Sequence, residues 1–279
     1  LVKSPTPSDP FSVNIKVNNI ADSESSYPII AHPDLDEVIF LKTVDSTNLE
    51  LKRRRKEFRG ANILLISDEQ TQGQGQKGRA WESAPGRGLW MSLYLGNPKT
   101  LSHSLQLLSI YSGTIVHKVV SPLINAKIRL KWPNDIMVGS KKCGGILTEL
   151  QWQGKAVSSA IIGVGINLNH QRHNFSTPIQ EIATSLHLEG HENPDRVKLA
   201  QSFVNEFFMD LAHLDEGALL VANWNNNAFK LNQLIIWDME DKSFEGEFSG
   251  INNRGDALIL IDGEFKAFQT GEIRLSTSA

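Results

Sequence analysis

The sequence predicts an α/β chain with a β-rich tail, and three observations predict it. Between Glu37 and about residue 230, short apolar strand-like runs alternate with stretches of helical apolar spacing. After Leu231 the texture changes to four short strand-like runs punctuated by Asn, Asp and Gly turns, which suggests a small β-barrel appendage over residues 231–279. Hydrophobic residues make up 40% of the 279 and charged residues 21%, a balance that can bury a sizeable core without disulfides.

Residues 1–36 differ from the rest of the chain: Ser4-Pro5-Thr6-Pro7 and residues 21–26 are loop-like, with one alternating stretch at 11–17 that could add a strand. They read as an extension, too short and irregular for a domain. Residues 38–41 form the first strong strand. Asp45, Ser46, Thr47 and Asn48 then cap a helix to about Phe58, Thr47 and Glu50 having capping-box spacing. Residues 63–67 make a strand, 71–87 a glycine-rich polar loop, and 89–95 a further strand. Residues 101–120 carry apolar residues at helical spacing without proline, which predicts a long buried helix. Hairpin-like pairs come next at 128–138 and at 144–152 with 156–167, then helices at 196–214 and 218–229. The tail strands are 234–237, 244–248, 257–261 and 265–268. No repeat recurs at a 20–50 residue period.

The net charge of −3 offers no bulk attraction to nucleic acid or to an anionic membrane, so neither is an expected partner. Cys143 is alone, which excludes an intrachain disulfide and agrees with a reducing compartment. No apolar run approaches the roughly 18 residues of a bilayer span, and residues 1–10 lack a signal peptide's apolar stretch. The cytoplasm is the expected location.

Four segments place polar or flexible residues where a plain core would not. Asp45 to Asn48 read as a helix cap, or as hydroxyls beside helix N-terminal amides that bind a polar ligand head. In the second, Gln70, Gly73, Gln74, Gly75, Gln76, Lys77, Gly78, Arg79 and Trp81 combine close backbone approach with charge suited to phosphate. That segment fits neither the P-loop nor the dinucleotide fingerprint, and an exposed flexible loop is the plainer alternative. The third, Lys131-Trp132-Pro133-Asn134-Asp135 with Lys141-Lys142-Cys143-Gly144-Gly145-Ile146-Leu147, sets lysines, an amide and a carboxylate around a proline corner. The fourth, Gly163-Val164-Gly165-Ile166-Asn167, puts glycines inside an apolar strand, for a ligand or for a tight packing contact.

In this order and together, the segments resemble the biotin–protein ligase family, of the biotin–[acetyl-CoA-carboxylase] ligase or holocarboxylase synthetase type without its DNA-binding domain. The resemblance runs over about residues 38–275 and includes Gly271-Glu272-Ile273-Arg274-Leu275. It implies a central mixed β-sheet flanked by helices, as in class II aminoacyl-tRNA synthetase-like catalytic domains, over 37–230. A C-terminal SH3-like barrel would complete the chain. It also implies biotin and ATP as substrates, Mg²⁺ as the assisting ion, a biotin carboxyl carrier protein as partner, and a monomer or homodimer. Biotin would meet Ser46, Thr47, Asn48, Gln70, the Gly73 to Gln76 loop, Lys142, Gly145 and Leu147. ATP would meet Arg79, Trp81, Lys131, Asn134, Gly163, Gly165 and Asn167. Lys142, Arg79 and Asp135 would be catalytic.

Gln74 and Gln76 stand where the family usually has arginines. Losing two charge-assisted bonds would weaken retention of an adenylate by about 1–3 kcal/mol. Three other readings compete. A lipoate–protein ligase shares the central domain, but its motifs differ from Lys131 to Asp135 and an SH3-like barrel is not its usual companion. A repressor would need a helix-turn-helix, whereas the segment before Glu37 is proline-rich, lacks helical period and is not basic. A catalytically silent binder is suggested by the two glutamines alone, and the joint presence of Lys131, Asp135 and Lys142 opposes it.

Overall fold

A computed structural model describes residues 14–18, 30–96, 98, 107–211, 214, 217–239 and 242–274. Most of the loop-like extension, the first part of the helix expected at 101–120, and Leu275 lie outside the described residues.

In chain order the strands of the larger sheet are β1 (Asn14–Asn18), β2 (Glu37–Val44), β3 (Ile63–Gln70), β4 (Gly88–Leu95), β5 (Ile128–Lys131), β6 (Asp135–Val138), β7 (Lys141–Gln153) and β8 (Ala156–Asn167). They lie in the order β1-β2-β3-β4-β8-β7-β6-β5. The first three run parallel and the remaining neighbours antiparallel, so the sheet is mixed. The helices are α1 (Thr47–Arg54), α2 (Leu108–Val120), α3 (Arg196–Leu211) and α4 (Gly217–Asn226). The tail forms a second, antiparallel sheet of β9 (Gln233–Met239), β10 (Lys242–Ile251), β11 (Ala257–Ile261), β12 (Glu264–Phe268) and β13 (Glu272–Ile273), ordered β12-β11-β10-β9-β13.

Strand period sorts the apolar residues onto two faces. Val38, Phe40, Leu64, Ile66, Met91, Leu93, Ile162 and Val164 join the large core with α2, α3 and α4. Their alternates Ile39, Ile63, Leu65, Tyr94 and Ile161 meet Leu51 of α1 and Phe58 on the opposite face. Truncating the fully buried Leu51 to alanine would cost about 2–5 kcal/mol on ordinary core scales. The tail sheet shares the large core through Ile235, Trp237, Phe248 and Ile259. Trp132, in the turn between β5 and β6, packs at a tilt with its ring centre 5.2 Å from that of Trp237 and donates its indole N–H to the Gly255 carbonyl at 2.9 Å.

Several local expectations need correction. The expected capping box does not form: Ser46, extended at φ −153°, is the N-cap and makes no side-chain cap bond, and Thr47 is the first helical residue. The helix ends at Arg54 rather than Phe58, its last turn carrying Lys52, Arg53 and Arg54 where the dipole favours cations. Strand β13 pairs with β9, a strand too short for periodicity to reveal. The glycine-rich loop contains a short 3₁₀ turn over Gln76–Gly78 in which Lys77 takes φ 56°.

Candidate active site

A cavity of about 470 Å³ opens on the α1 face of the larger sheet, within the size range of small-molecule sites. Its wall is built from the start of α1, the end of β3, the glycine-rich loop, the Trp132 turn, the start of β7, the glycine strand β8 and residues 175–183, with Glu272 at the rim.

Position along each element explains which side chains reach it. Ser46, Thr47 and Asn48 form the buried N-terminal turn of α1, where the Ser46 N–H donates to Asp45 Oδ1 at 2.7 Å and the positive end of the helix dipole favours polar ligands. Gln70 ends β3 beside them: its Oε1 accepts from the Thr47 backbone N–H at 2.8 Å and lies 3.0 Å from the Thr47 hydroxyl. Its Nε2 donates to Ser83 Oγ at 2.8 Å. Asn48 donates Nδ2 to Glu149 at 2.9 Å and to the Leu147 carbonyl at 3.2 Å, while Oδ1 lies 2.6 Å from Ser92 Oγ. Asn48 lines the cavity, yet its amide serves to dock α1 on β4 and β7.

The charged centre is compact. Asp135, at the start of β6, lies with Oδ1 2.5 Å from Lys142 Nζ and Oδ2 3.4 Å from Lys131 Nζ. Register brings this about, because Asp135 pairs with Lys131 on β5 and with Gly145 on β7. Lys131 is buried and Lys142 half-buried. Lys142 Nζ also sits 5.2 Å from the centre of the Trp81 ring, a cation–π arrangement. Arg79 is paired at 2.6 Å with Glu272, so the glycine-rich loop is tied to the tail sheet.

The glycines of β8 give clearance to neighbouring side chains. A Cβ on Gly165 would come within 2.9 Å of the Trp81 indole, and one on Gly163 would collide with Asn48 Oδ1. Both neighbours belong to the cavity wall. Asn134 donates Nδ2 to the Ile146 carbonyl at 2.5 Å, and Asn167 donates Nδ2 to the Thr184 carbonyl at 3.0 Å. Both amides line the cavity while pinning its frame.

Of the residues singled out from sequence, Ser46, Thr47, Asn48, Gln70, Gln74, Gly75, Gln76, Arg79, Trp81, Lys131, Asn134, Asp135, Lys142, Gly145, Leu147, Gly163, Gly165 and Asn167 converge on the cavity. Gly73 does not line it: it is buried, and its carbonyl accepts from the Trp81 N–H at 2.8 Å to close the loop's base. Lys77, expected near phosphate, is exposed and absent from the wall.

Sequence reasoning missed the segment 175–183. It carries no motif, and it is placed by backbone bonds from the Lys142 N–H to the Ile182 carbonyl at 2.7 Å and from the Thr184 N–H to the Lys142 carbonyl at 2.9 Å. Glu82 holds its start by accepting from the Ser176 backbone at 3.1 Å and from the Ser176 hydroxyl. Ser92 was also missed, although a lone hydroxyl inside an apolar strand is a readable signal.

Residues 40–167 match the family model of the Biotin/lipoate A/B protein ligase family. The bifunctional ligase/repressor BirA of Bacillus subtilis (strain 168) is 28% identical over 271 residues, covering 93% of this chain and 80% of the relative. A biotin--[acetyl-CoA-carboxylase] ligase of Mycobacterium tuberculosis is 32% identical over 167 residues, 58% of this chain and 59% of the relative. Among solved structures, a biotin protein ligase from Aquifex aeolicus in complex with biotin and ATP superposes with TM-score 0.73. It is 29% identical and covers 86% of this chain and 99% of that one.

Proposed function

We propose that the chain is a biotin–protein ligase, activating biotin with ATP and passing it to a carrier lysine, a reading supported by its match to the Biotin/lipoate A/B protein ligase family model and its likeness to biotin protein ligases. The observation that carries this reading is the Lys131–Asp135–Lys142 cluster beside the hydroxyl and amide groups of Thr47 and Gln70 in one cavity. One end suits a neutral polar head and the other suits anions.

A carboxylate is a poor acyl donor until it is activated. The biotin carboxylate attacks the α-phosphorus of ATP, pyrophosphate leaves, and a mixed anhydride with AMP forms. Two anions must meet in this step, and an ammonium in a half-buried site offsets their repulsion more effectively than one in open water. Lys142 takes that role, held in place by Asp135 and the Trp81 face. Arg79 exchanges Glu272 for phosphate oxygens, and Lys131, Trp81, Asn134, Gly163, Gly165 and Asn167 frame the nucleotide. Ser46, Thr47 and Gln70 meet the ureido head, and Gly145 and Leu147 flank the tail. In the second step the carrier lysine, as a neutral amine, attacks the anhydride and AMP departs. Asp135 orients that amine and takes its proton.

Among the described residues, no group of three or more His, Cys, Asp or Glu side chains could hold a metal ion. Mg²⁺ would then enter on the nucleotide's phosphates with few protein ligands, its usual manner. The tail sheet is read as an SH3-like unit over 231–279, beside a catalytic unit over 37–230. A cytoplasmic setting fits the single reduced, buried cysteine.

Replacing Lys142 with Ala should cut biotin-dependent exchange of pyrophosphate into ATP by about 10²-fold or more while thermal unfolding stays near that of the parent. Exchange at the parent rate would remove Lys142 from the reaction. Mass spectrometry of a carrier domain incubated with the enzyme should show biotin on one lysine.

A further inference from the structure

Beneath the cavity wall runs a buried polar chain whose direction can be worked out proton by proton. Glu149 Oε2 and the Leu147 carbonyl are acceptors, and both meet Asn48 Nδ2, at 2.9 and 3.2 Å. The Asn48 amide is therefore oriented with Oδ1 toward Ser92 Oγ, 2.6 Å away. Lys52 pairs with Glu149 at 3.2 Å and anchors the outer end. Ser92 is fully buried and lies 2.6 Å from Thr47 Oγ1 as well. Thr47 Oγ1 in turn lies 3.0 Å from Gln70 Oε1.

These three oxygen–oxygen contacts share the hydroxyl protons of Ser92 and Thr47, one each. Two oxygens 2.6 Å apart need a proton between them. Gln70 Oε1 already accepts from the Thr47 backbone N–H at 2.8 Å. Ser92 therefore donates to Asn48, and Thr47 donates to Ser92. The Thr47 hydroxyl is left with lone pairs only, next to the carbonyl oxygen of Gln70, and both residues line the cavity.

We propose that Glu149, Asn48 and Ser92 form a positioning relay that holds the Thr47 hydroxyl as an acceptor, so that the site selects a ligand head carrying an N–H donor. The inference rests on reading biotin as the substrate, because its ureido ring supplies such donors. The dithiolane ring of lipoate has none, so the same relay favours biotin over lipoate.

Calorimetric titration of the full chain tests the relay, using biotin and two cyclic carbamates in which one or the other ureido N–H is replaced by oxygen. In the parent, one carbamate should bind roughly 100-fold more weakly than biotin, since its ring oxygen would face lone pairs. Ser92→Ala frees the Thr47 proton to turn toward that oxygen, and the ratio should fall below about tenfold. A purely structural role for Ser92 would weaken all three ligands by one factor and leave the ratio unchanged, which overturns the relay. Thr47→Val, which removes the acceptor, should also collapse the ratio and serves if Ser92→Ala does not fold. A parent that binds biotin and both carbamates equally overturns the relay and leaves the substrate reading standing. A parent that binds no biotin overturns both.

Discussion

His170 lies in the aromatic stack that joins two parts of the cavity wall. It stacks on Phe175 at 4.8 Å and meets the edge of Trp90, which in turn meets Trp81. Burial first, and then the Arg87 charge, lower its pKa from 6.5 to about 4, with the Arg87 backbone bond and Glu82 pulling the other way. Below pH 6.5 the unfolded chain takes up this proton more readily than the folded one. The contribution is therefore complete above pH 6.5 and is lost as pH falls toward 4, on the order of 3 kcal/mol. His170→Phe should flatten the pH dependence of stability by that amount in urea unfolding at pH 7, 5.5 and 4, and matching curves for the two proteins would contradict the assignment. Cys143 sits next to Lys142 in sequence but is fully buried, and its thiol is pushed up to about 12 by burial and by Glu189. It should resist alkylation in the folded state at pH 8 and react only as unfolding exposes it.

Strand β8 and helix α1 act as a fitted pair, since the Gly163 clearance is filled by Asn48. Gly163→Ala should displace Asn48 and weaken biotin binding by about tenfold, or 1.4 kcal/mol, with a smaller change in thermal stability. Unchanged binding would mean that the fit is not needed. Much at this scale was legible from sequence: strands β2 to β8, the proline corner between β5 and β6, and the convergence of Lys131, Asp135 and Lys142. The strands and the corner rest on strand period and local turn chemistry, which a sequence displays directly, whereas the joining of Lys142 to Lys131 and Asp135 was implied by the family resemblance. What Asn48, Asn134 and Asn167 bond to was not legible, because an amide reads alike whether it meets a ligand or a distant carbonyl. The clearance at Gly163 and Gly165 was equally ambiguous until Asn48 and Trp81 were seen to fill it. The segment 175–183 was invisible, because long-range backbone pairing with Lys142 places it.

The two sheets of the molecule share one buried core, with Trp132 packed on Trp237 and Arg79 paired to Glu272 across them. Tryptophan fluorescence and calorimetry should accordingly report one cooperative unfolding transition, and two separated transitions would show that the tail sheet folds independently. The change of texture near Leu231 was readable in sequence, whereas its coupling to the larger sheet was not, since it depends on side chains about 100 residues apart in the case of Trp132 and Trp237. Exchange of labelled pyrophosphate into ATP, measured with biotin, with lipoate and with neither, tests the cavity, the lysine cluster and the polar relay together most directly. Exchange that appears with biotin alone is the predicted result. Exchange supported equally by lipoate, or absent with biotin, would contradict it.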